Sequence, residues 1–264
     1  MKVSTCSYRP ILVPCGLENF DYQVDPYVGC EHSCHYCYVL NQAETDWTKE
    51  IFVYNDITGQ LSGELEKISP QKIYMGYYTD PYQPCETEQC QTRKVLKLFL
   101  ENGFSASILT KSDLVVRDMD LLKEMDHASV SVSVAFNDNH IRQQFEAKTI
   151  DTEDRITALS KLRKAGIKTS ALICPVIPFI TDVVPLIDML EPHTDVIWIY
   201  GLSIYERSDK NWQNVQNILN SHFPKLKEQI ESAVFSADNS YWIQLRQELE
   251  KLQKDRQLNL NIRL

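Results

Sequence analysis

From residue 70 onward the chain alternates between two hydrophobic periods. Residues 72–76, 104–109, 128–136, 167–174 and 196–200 are short apolar or every-second-residue runs, the pattern of strands. Between them, residues 92–102, 113–125, 152–165 and 182–190 place apolar side chains at helical spacing, as in Val95, Leu96, Phe99 and Leu100. Gly103 and Gly166 follow two of these helices as stops, and Asp151 or Thr152 suits an N-cap. The short apolar run 24–28 supplies one earlier strand. Strands alternating with helices roughly every 30 residues predict right-handed βαβ units and a parallel sheet of six strands. In such sheets the chemistry gathers at the C-terminal strand ends.

The flanks are less regular. Residues 1–24, with Pro10, Pro14, Cys6 and Cys15, read as an irregular lead-in, and 38–43 as a possible helix start. Gly59 and Gly63 read as turns. Residues 209–256 predict two or three amphipathic helices, broken at Pro224 and near Asn239. With no repeats and no low-complexity linker, one domain over 1–264 is expected, with a core at about 22–200 and a helical extension over 201–264.

Composition narrows the class. At 264 residues, 43% hydrophobic and 24% charged, the chain has the make-up of an ordinary globular protein. No run of 18 apolar residues exists to span a membrane, and the start lacks a signal-peptide pattern. Eight cysteines without such a signal predict a reducing, cytoplasmic location. A net charge of −9 disfavours nucleic acid, whose binding is mainly phosphate neutralisation, although a local basic cleft stays possible.

The densest chemistry lies in Gly29-Cys30-Glu31-His32-Ser33-Cys34-His35-Tyr36-Cys37-Tyr38, three cysteines at C-x3-C-x2-C. With eight cysteines in 264 residues, chance predicts only about 0.007 such patterns. Thiolates are soft ligands for iron–sulfur clusters or zinc. Three of them leave one iron of a four-iron cluster without a protein ligand. Zinc, with His32 or His35 as a fourth ligand, remains the rival, but neither histidine has the separate spacing zinc modules favour.

C-x3-C-x2-C with an aromatic before the last cysteine resembles the cluster loop of the radical S-adenosylmethionine enzymes. Asp25-Pro26-Tyr27-x-Gly29-Cys30, Thr79-Asp80-Pro81-Tyr82-Gln83-Pro84-Cys85-Glu86, Thr110-Lys111-Ser112, Val116-Arg117-Asp118, Phe145-Glu146-x-x-Thr149 and Arg155-Ile156-x-Ala158 resemble its spore photoproduct lyase-like branch. The match is to that branch's uncharacterised members rather than the DNA-repair lyase, over about residues 22–180. The resemblance implies a six-stranded parallel (β/α)6 partial TIM barrel with extra C-terminal helices. It implies a [4Fe–4S] cluster on Cys30, Cys34 and Cys37, S-adenosylmethionine on the open iron, and a low-potential donor of flavodoxin or ferredoxin type. Reductive cleavage then gives a 5′-deoxyadenosyl radical that abstracts hydrogen from an unidentified substrate.

The same resemblance implies cofactor-pocket roles for Thr79, Asp80, Lys111, Ser133, Glu146 and Arg155, with Tyr36 and Tyr38 walling the adenine. Each also has a plainer reading: Lys111 as a surface lysine, Glu146–Arg155 as a structural ion pair, the tyrosines as core. In the lyase a cysteine after the second strand donates a hydrogen atom. Here Tyr77 and Tyr78 occupy that segment, so Tyr78 as relay and Cys85 as substitute thiol are the catalytic candidates, against packing and an inert buried thiol. Cys174, ending the fifth strand, is an outside candidate for substrate contact. Cys6, Cys15, Cys85, Cys90 and Cys174 are the only material for a second cluster. Two further readings stay open: repair of a DNA pyrimidine photoproduct, and a non-catalytic zinc-binding or electron-transfer protein.

Overall fold

The structure, a computed structural model, describes residues 1–6, 9–43 and 45–264. The N-terminal part is built of short strands: β1 (Lys2–Cys6), β2 (Leu12–Pro14), β3 (Tyr22–Val24), β4 (Tyr27–Val28) and β5 (Glu50–Tyr54), then α1 (Ile57–Leu65). The alternating body follows as β6 (Lys72–Met75), α2 (Glu86–Gln89), α3 (Gln91–Glu101), β7 (Ser105–Thr110), α4 (Met119–Glu124), β8 (Ser129–Ser133), α5 (Asn139–Phe145), α6 (Thr152–Lys164), β9 (Lys168–Val176), α7 (Val183–Leu190) and β10 (Val196–Gly201). The chain ends with α8 (Lys210–His222), α9 (Lys227–Val234), α10 (Ser240–Arg256) and β11 (Leu260–Arg263).

The main sheet runs β11-β10-β9-β8-β7-β6-β3-β2 and is parallel throughout except for β2, which pairs antiparallel to β3 at one edge. A second sheet, β1-β5-β4, stands beside it. The expected parallel α/β architecture is therefore present, with three differences. The strand predicted over 24–28 is two, one in each sheet. The lead-in carries strands rather than irregular coil, and Gly59 and Gly63 lie inside α1. The C-terminal region is not purely helical, because β11 adds a further parallel strand beside β10.

One face of the main sheet makes the core. Ile73, Ile108, Val130, Val132, Ala171 and Ile173 are fully buried beneath the helices. Local charge fits the helices that cover them: α6 has Glu153 and Asp154 in its first turn and Lys161, Arg163 and Lys164 in its last, matching the helix dipole. Asp151 precedes α6 but makes no side-chain cap, because its carboxylate pairs with Arg142 at 2.5 Å. Gly76 ends β6 at φ 101°, where a Cβ would lie 2.3 Å from the Leu109 carbonyl, so only glycine lets β6 and β7 stay paired there. The Tyr74 hydroxyl of β6 is pushed up first by burial and then by charges that include Tyr200 of β10.

Candidate active site

The three cysteines lie on the loop that follows β4. Gly29 starts it at φ 91°, with Trp47 and Ile51 at 3.2 Å from where a Cβ would sit. Backbone bonds from Ser33 to Cys30 (3.2 Å) and from Cys37 to Cys34 (3.1 Å) coil the loop into two tight turns. All eight cysteines are free thiols.

The segment after β6 clamps this loop. Gln83 donates to the Gly29 carbonyl at 3.0 Å and accepts from the Glu31 amide at 2.8 Å. The Cys85 amide donates to Glu31 at 2.5 Å. His32 is buried, with Nδ1 at 3.2 Å from the Lys148 carbonyl and Nε2 at 3.2 Å from Asp80. The Nε2 contact has the distance of an ion pair without the alignment of a hydrogen bond. On the far side, the His35 amide donates to Phe145 at 3.0 Å and Asn211 to the Tyr36 carbonyl at 3.3 Å. The loop is thus held by strand-end segments and by α8.

Burial first, and Asp80 second, push the Cys30 thiol up to about 12. Burial raises Cys34 and Cys37 as well; Cys30 and Cys37 raise Cys34 further, and the Lys111 ammonium opposes the shift at both Cys34 and Cys37. Cys34 feels the other two thiols and shares the Lys111 ammonium with Cys37, so the loop forms a soft donor set. Among the described residues, no group of three or more His, Cys, Asp or Glu is arranged to hold a single metal ion. Cysteines bound to separate irons of a cluster need no such convergence, so the donor set fits a cluster with one ligand per corner.

Lys111 stands just after β7 with Nζ 5.8 Å from the centre of the Tyr36 ring. The Tyr36 hydroxyl donates to Glu146, whose other oxygen pairs with Arg155 at 2.6 Å; Glu146 is 0% and Arg155 1% exposed. Arg155 also donates to the Ser133 carbonyl at 2.9 Å, and the Ser133 hydroxyl to the Cys174 carbonyl at 3.1 Å. Cys174 is pushed up to about 11 by burial, against the pull of Lys111. One neighbourhood therefore holds Cys34, Cys37, Tyr36, Lys111, Ser133, Glu146, Arg155 and Cys174.

Several expected residues are placed differently. Glu146 and Arg155 are buried and bonded to protein groups, so they stand behind Tyr36 and Ser133 and offer no exposed atom to a ligand. Asp80 accepts from the Tyr82 amide (2.9 Å), the Thr110 hydroxyl (2.6 Å) and the Lys111 amide (2.7 Å), which makes it a brace between strand ends. Thr79 is bonded to Asp25 and to the Tyr27 carbonyl. Cys85 packs with Tyr27, Ile51 and Val53 against the small sheet, in the surroundings of an inert thiol rather than of a hydrogen donor at the sheet mouth. Tyr78 is 40% exposed and borders a cavity of about 520 Å³ on the outer side of the loop, with Asp25, Gly29, Trp47 and Tyr54 among its walls. Tyr38 donates to the Tyr77 carbonyl at 2.6 Å.

Sequence reasoning missed three residues. Asp25 accepts from the Tyr78 amide at 3.1 Å and the Thr79 amide at 2.9 Å, and burial pushes its carboxyl up to about 6. Gln83 clamps the loop, and Glu86 is a fully buried hub bonded by Tyr27, the Thr92 amide and Arg117. All three lie in the D-P-Y and T-D-P-Y-Q-P-C-E stretches, so their position was signalled and their role was not.

Residues 24–190 match the radical SAM superfamily. An uncharacterized protein of Methanocaldococcus jannaschii is 31% identical over 195 residues, 72% of this chain and 74% of that protein. An uncharacterized protein of Mycobacterium tuberculosis is 30% identical over 198 residues, 70% of this chain but only 58% of its own length. The chain belongs to the radical S-adenosylmethionine superfamily and is a radical S-adenosylmethionine enzyme. Its fold is shared with spore photoproduct lyase: a double mutant of that enzyme, solved with AdoMet and dinucleoside spore photoproduct, superposes at a TM-score of 0.64 with 16% identity, covering 98% of this chain and 80% of the lyase.

Proposed function

We propose that Cys30, Cys34 and Cys37 hold a [4Fe–4S] cluster and that residues 1–264 work as one catalytic domain on an open (β/α) partial barrel. The observation that carries this reading is the three-thiol loop lying at the C-terminal ends of parallel strands, with the Lys111 ammonium acting on two of the thiols. Bound there, the cluster and S-adenosylmethionine supply reductive C–S cleavage and a 5′-deoxyadenosyl radical that abstracts hydrogen from substrate. The chain's own residues do the holding. Gln83 and Glu31 fix the loop's path. Lys111 places positive charge beside the thiols, where it offsets cluster charge and attracts the cofactor's carboxylate. Tyr36, locked at its hydroxyl by Glu146, offers its ring as a wall with Tyr38. Ser133 presents its strand end, held by Arg155. Tyr78, 40% exposed beside the loop, is the candidate relay.

The electron comes from a low-potential donor of flavodoxin or ferredoxin type, in the cytoplasm, where free thiols persist. Among the described residues, no helix is long and apolar enough to cross a membrane. The test is anaerobic reconstitution with iron and sulfide, then S-adenosylmethionine and dithionite. Accumulation of 5′-deoxyadenosine in the native protein and its loss in Lys111→Met support the reading; no 5′-deoxyadenosine from a fully loaded native protein defeats it.

A further inference from the structure

A second pocket, of about 500 Å³, opens at the N-terminal ends of the parallel strands, away from the ends that carry the cysteine loop. Lys72, Lys123, His127 and Lys168 supply its cations, and Met125 and Ile167 part of its apolar wall. Lys72 starts β6 and Lys168 starts β9, so two strands separated by β7 and β8 contribute to one space. Lys123 near the end of α4, and Met125 and His127 in the connection to β8, supply another wall. Beside Gly166 the space is open, with no atom within 4 Å of where a Cβ would sit.

The charges round this pocket are unbalanced. Among the described residues no Asp or Glu lines it, although the chain has a net charge of −9. None of Lys72, Lys123 and Lys168 has a salt bridge among the described residues. The adjoining acid, Asp126, is 89% exposed and lies 3.3 Å from His127. Lys72 is half-buried, and its ammonium is pushed down by burial first and by Lys168 second, against the pull of Asp126. Two ammonium groups that repel across a shared space are relieved by an anion between them.

A second observation lies next to Lys72. Register pairs it with Ser105, on the same face of the sheet. Ser105 is 6% exposed and its Oγ has no protein partner. A buried hydroxyl of this kind calls for one.

The type of cation narrows the anion. No arginine lines the pocket among the described residues. Arginine's planar fork forms paired bonds to a carboxylate, whereas lysine acts as a point charge that meets phosphate oxygens from any side. A bare phosphate fills only a small part of this volume, which lies in the range of small-molecule pockets.

We infer that this pocket binds an organic phosphate, with the phosphate between Lys72 and Lys168 and an apolar body against Met125 and Ile167. The site is separate from the cysteine loop and does not depend on the cluster reading. Its occupant ties the starts of β6 and β9 to the connection before β8, and so stabilises the folded chain by mass action.

The test uses the whole cluster-loaded chain with saturating S-adenosylmethionine, which keeps the cofactor pocket filled. Phenyl phosphate is the probe, and benzoate, with the same ring on a carboxylate, is the control. Titration calorimetry gives the affinities. Phenyl phosphate binds at least about tenfold more tightly than benzoate and raises the melting temperature. Lys72→Met and Lys168→Met each weaken it at least about tenfold, the loss of one charge-assisted bond, while iron content stays native. Lys72→Arg, which keeps the charge, retains most of the affinity, and Lys251→Met on α10 changes nothing. Absence of phenyl phosphate binding, equal binding of benzoate, or affinity untouched by Lys72→Met combined with Lys168→Met overturns the inference. So does a loss in Lys251→Met as large as in Lys72→Met, which marks the attraction as general surface charge.

Discussion

The carboxylate of Asp80 accepts the backbone N–H of Lys111 at 2.7 Å, so the segment that follows one strand fixes the residue that follows the next. The same carboxylate lies 3.2 Å from His32 within the cysteine loop. One buried group thereby sets the distance between the thiols and the cation beside them. Burial works against its charge, but His32, the Thr110 hydroxyl and the Lys111 amide outweigh burial and hold the carboxyl down at about 2.

That depression has a definite sign. The unfolded-state value is near 3.9, so the stabilisation is present above about pH 4 and is lost as pH falls toward 2. Asp80→Asn should cost about 2–3 kcal/mol at pH 7 and narrow its gap from the native protein as the pH drops through that window. Urea unfolding at several pH values measures it. A gap constant from pH 7 to pH 3 contradicts the assignment.

Asp25 is the opposite case. Burial raises its carboxyl to about 6, so its favourable contribution is present below about pH 4 and is lost as pH rises through 6. Asp25→Asn keeps an oxygen for the Tyr78 and Thr79 amides, and its new N–H can meet Gln23 once that amide flips. The variant should melt higher than the native protein at pH 8 and no higher at pH 4. Equal melting shifts at both pH values speak against a strained carboxylate.

Glu146 and Arg155 form a buried pair, and breaking one partner strands the other. Glu146→Gln should cost about 3–5 kcal/mol, whereas Glu146→Met combined with Arg155→Met should cost less than the single change. Denaturant unfolding of the two variants decides. A double variant less stable than Glu146→Gln contradicts this reading of the pair.

Gln83 spans the loop with one amide group. Replacing it by Leu removes both bonds, to Gly29 and Glu31, at a cost of about 1–3 kcal/mol. The fold should survive, and iron retained after gel filtration should fall. Native iron retention in Gln83→Leu means the clamp does not matter to the loop.

Which parts of this were legible in the sequence follows from locality. Residues 72–75, 105–110 and 168–176 announce themselves because their alternation or apolar run is read within a few neighbours. Leu12–Pro14 and Leu260–Arg263 were invisible, since three or four residues carry no period and their partners lie in β3 and β10. The cysteine loop was plain because a short fixed spacing encodes it. Glu86 and Asp118 were not, since an acidic residue reads as surface unless Arg93 and Arg117 are known to close over it. Cys85 misled for the same reason: closeness in sequence to the strand end gave no hint that β5 covers it.

The most direct measurement is iron and acid-labile sulfide per chain after anaerobic reconstitution, made on the native protein, Cys34→Ala, Cys85→Ala and Cys90→Ala. About four of each per chain are predicted for the native protein and for the variants at Cys85 and Cys90, with loss of the cluster and of its brown colour in Cys34→Ala. Native iron in Cys34→Ala, or one zinc and no iron in the native protein, would contradict a cluster held by Cys30, Cys34 and Cys37.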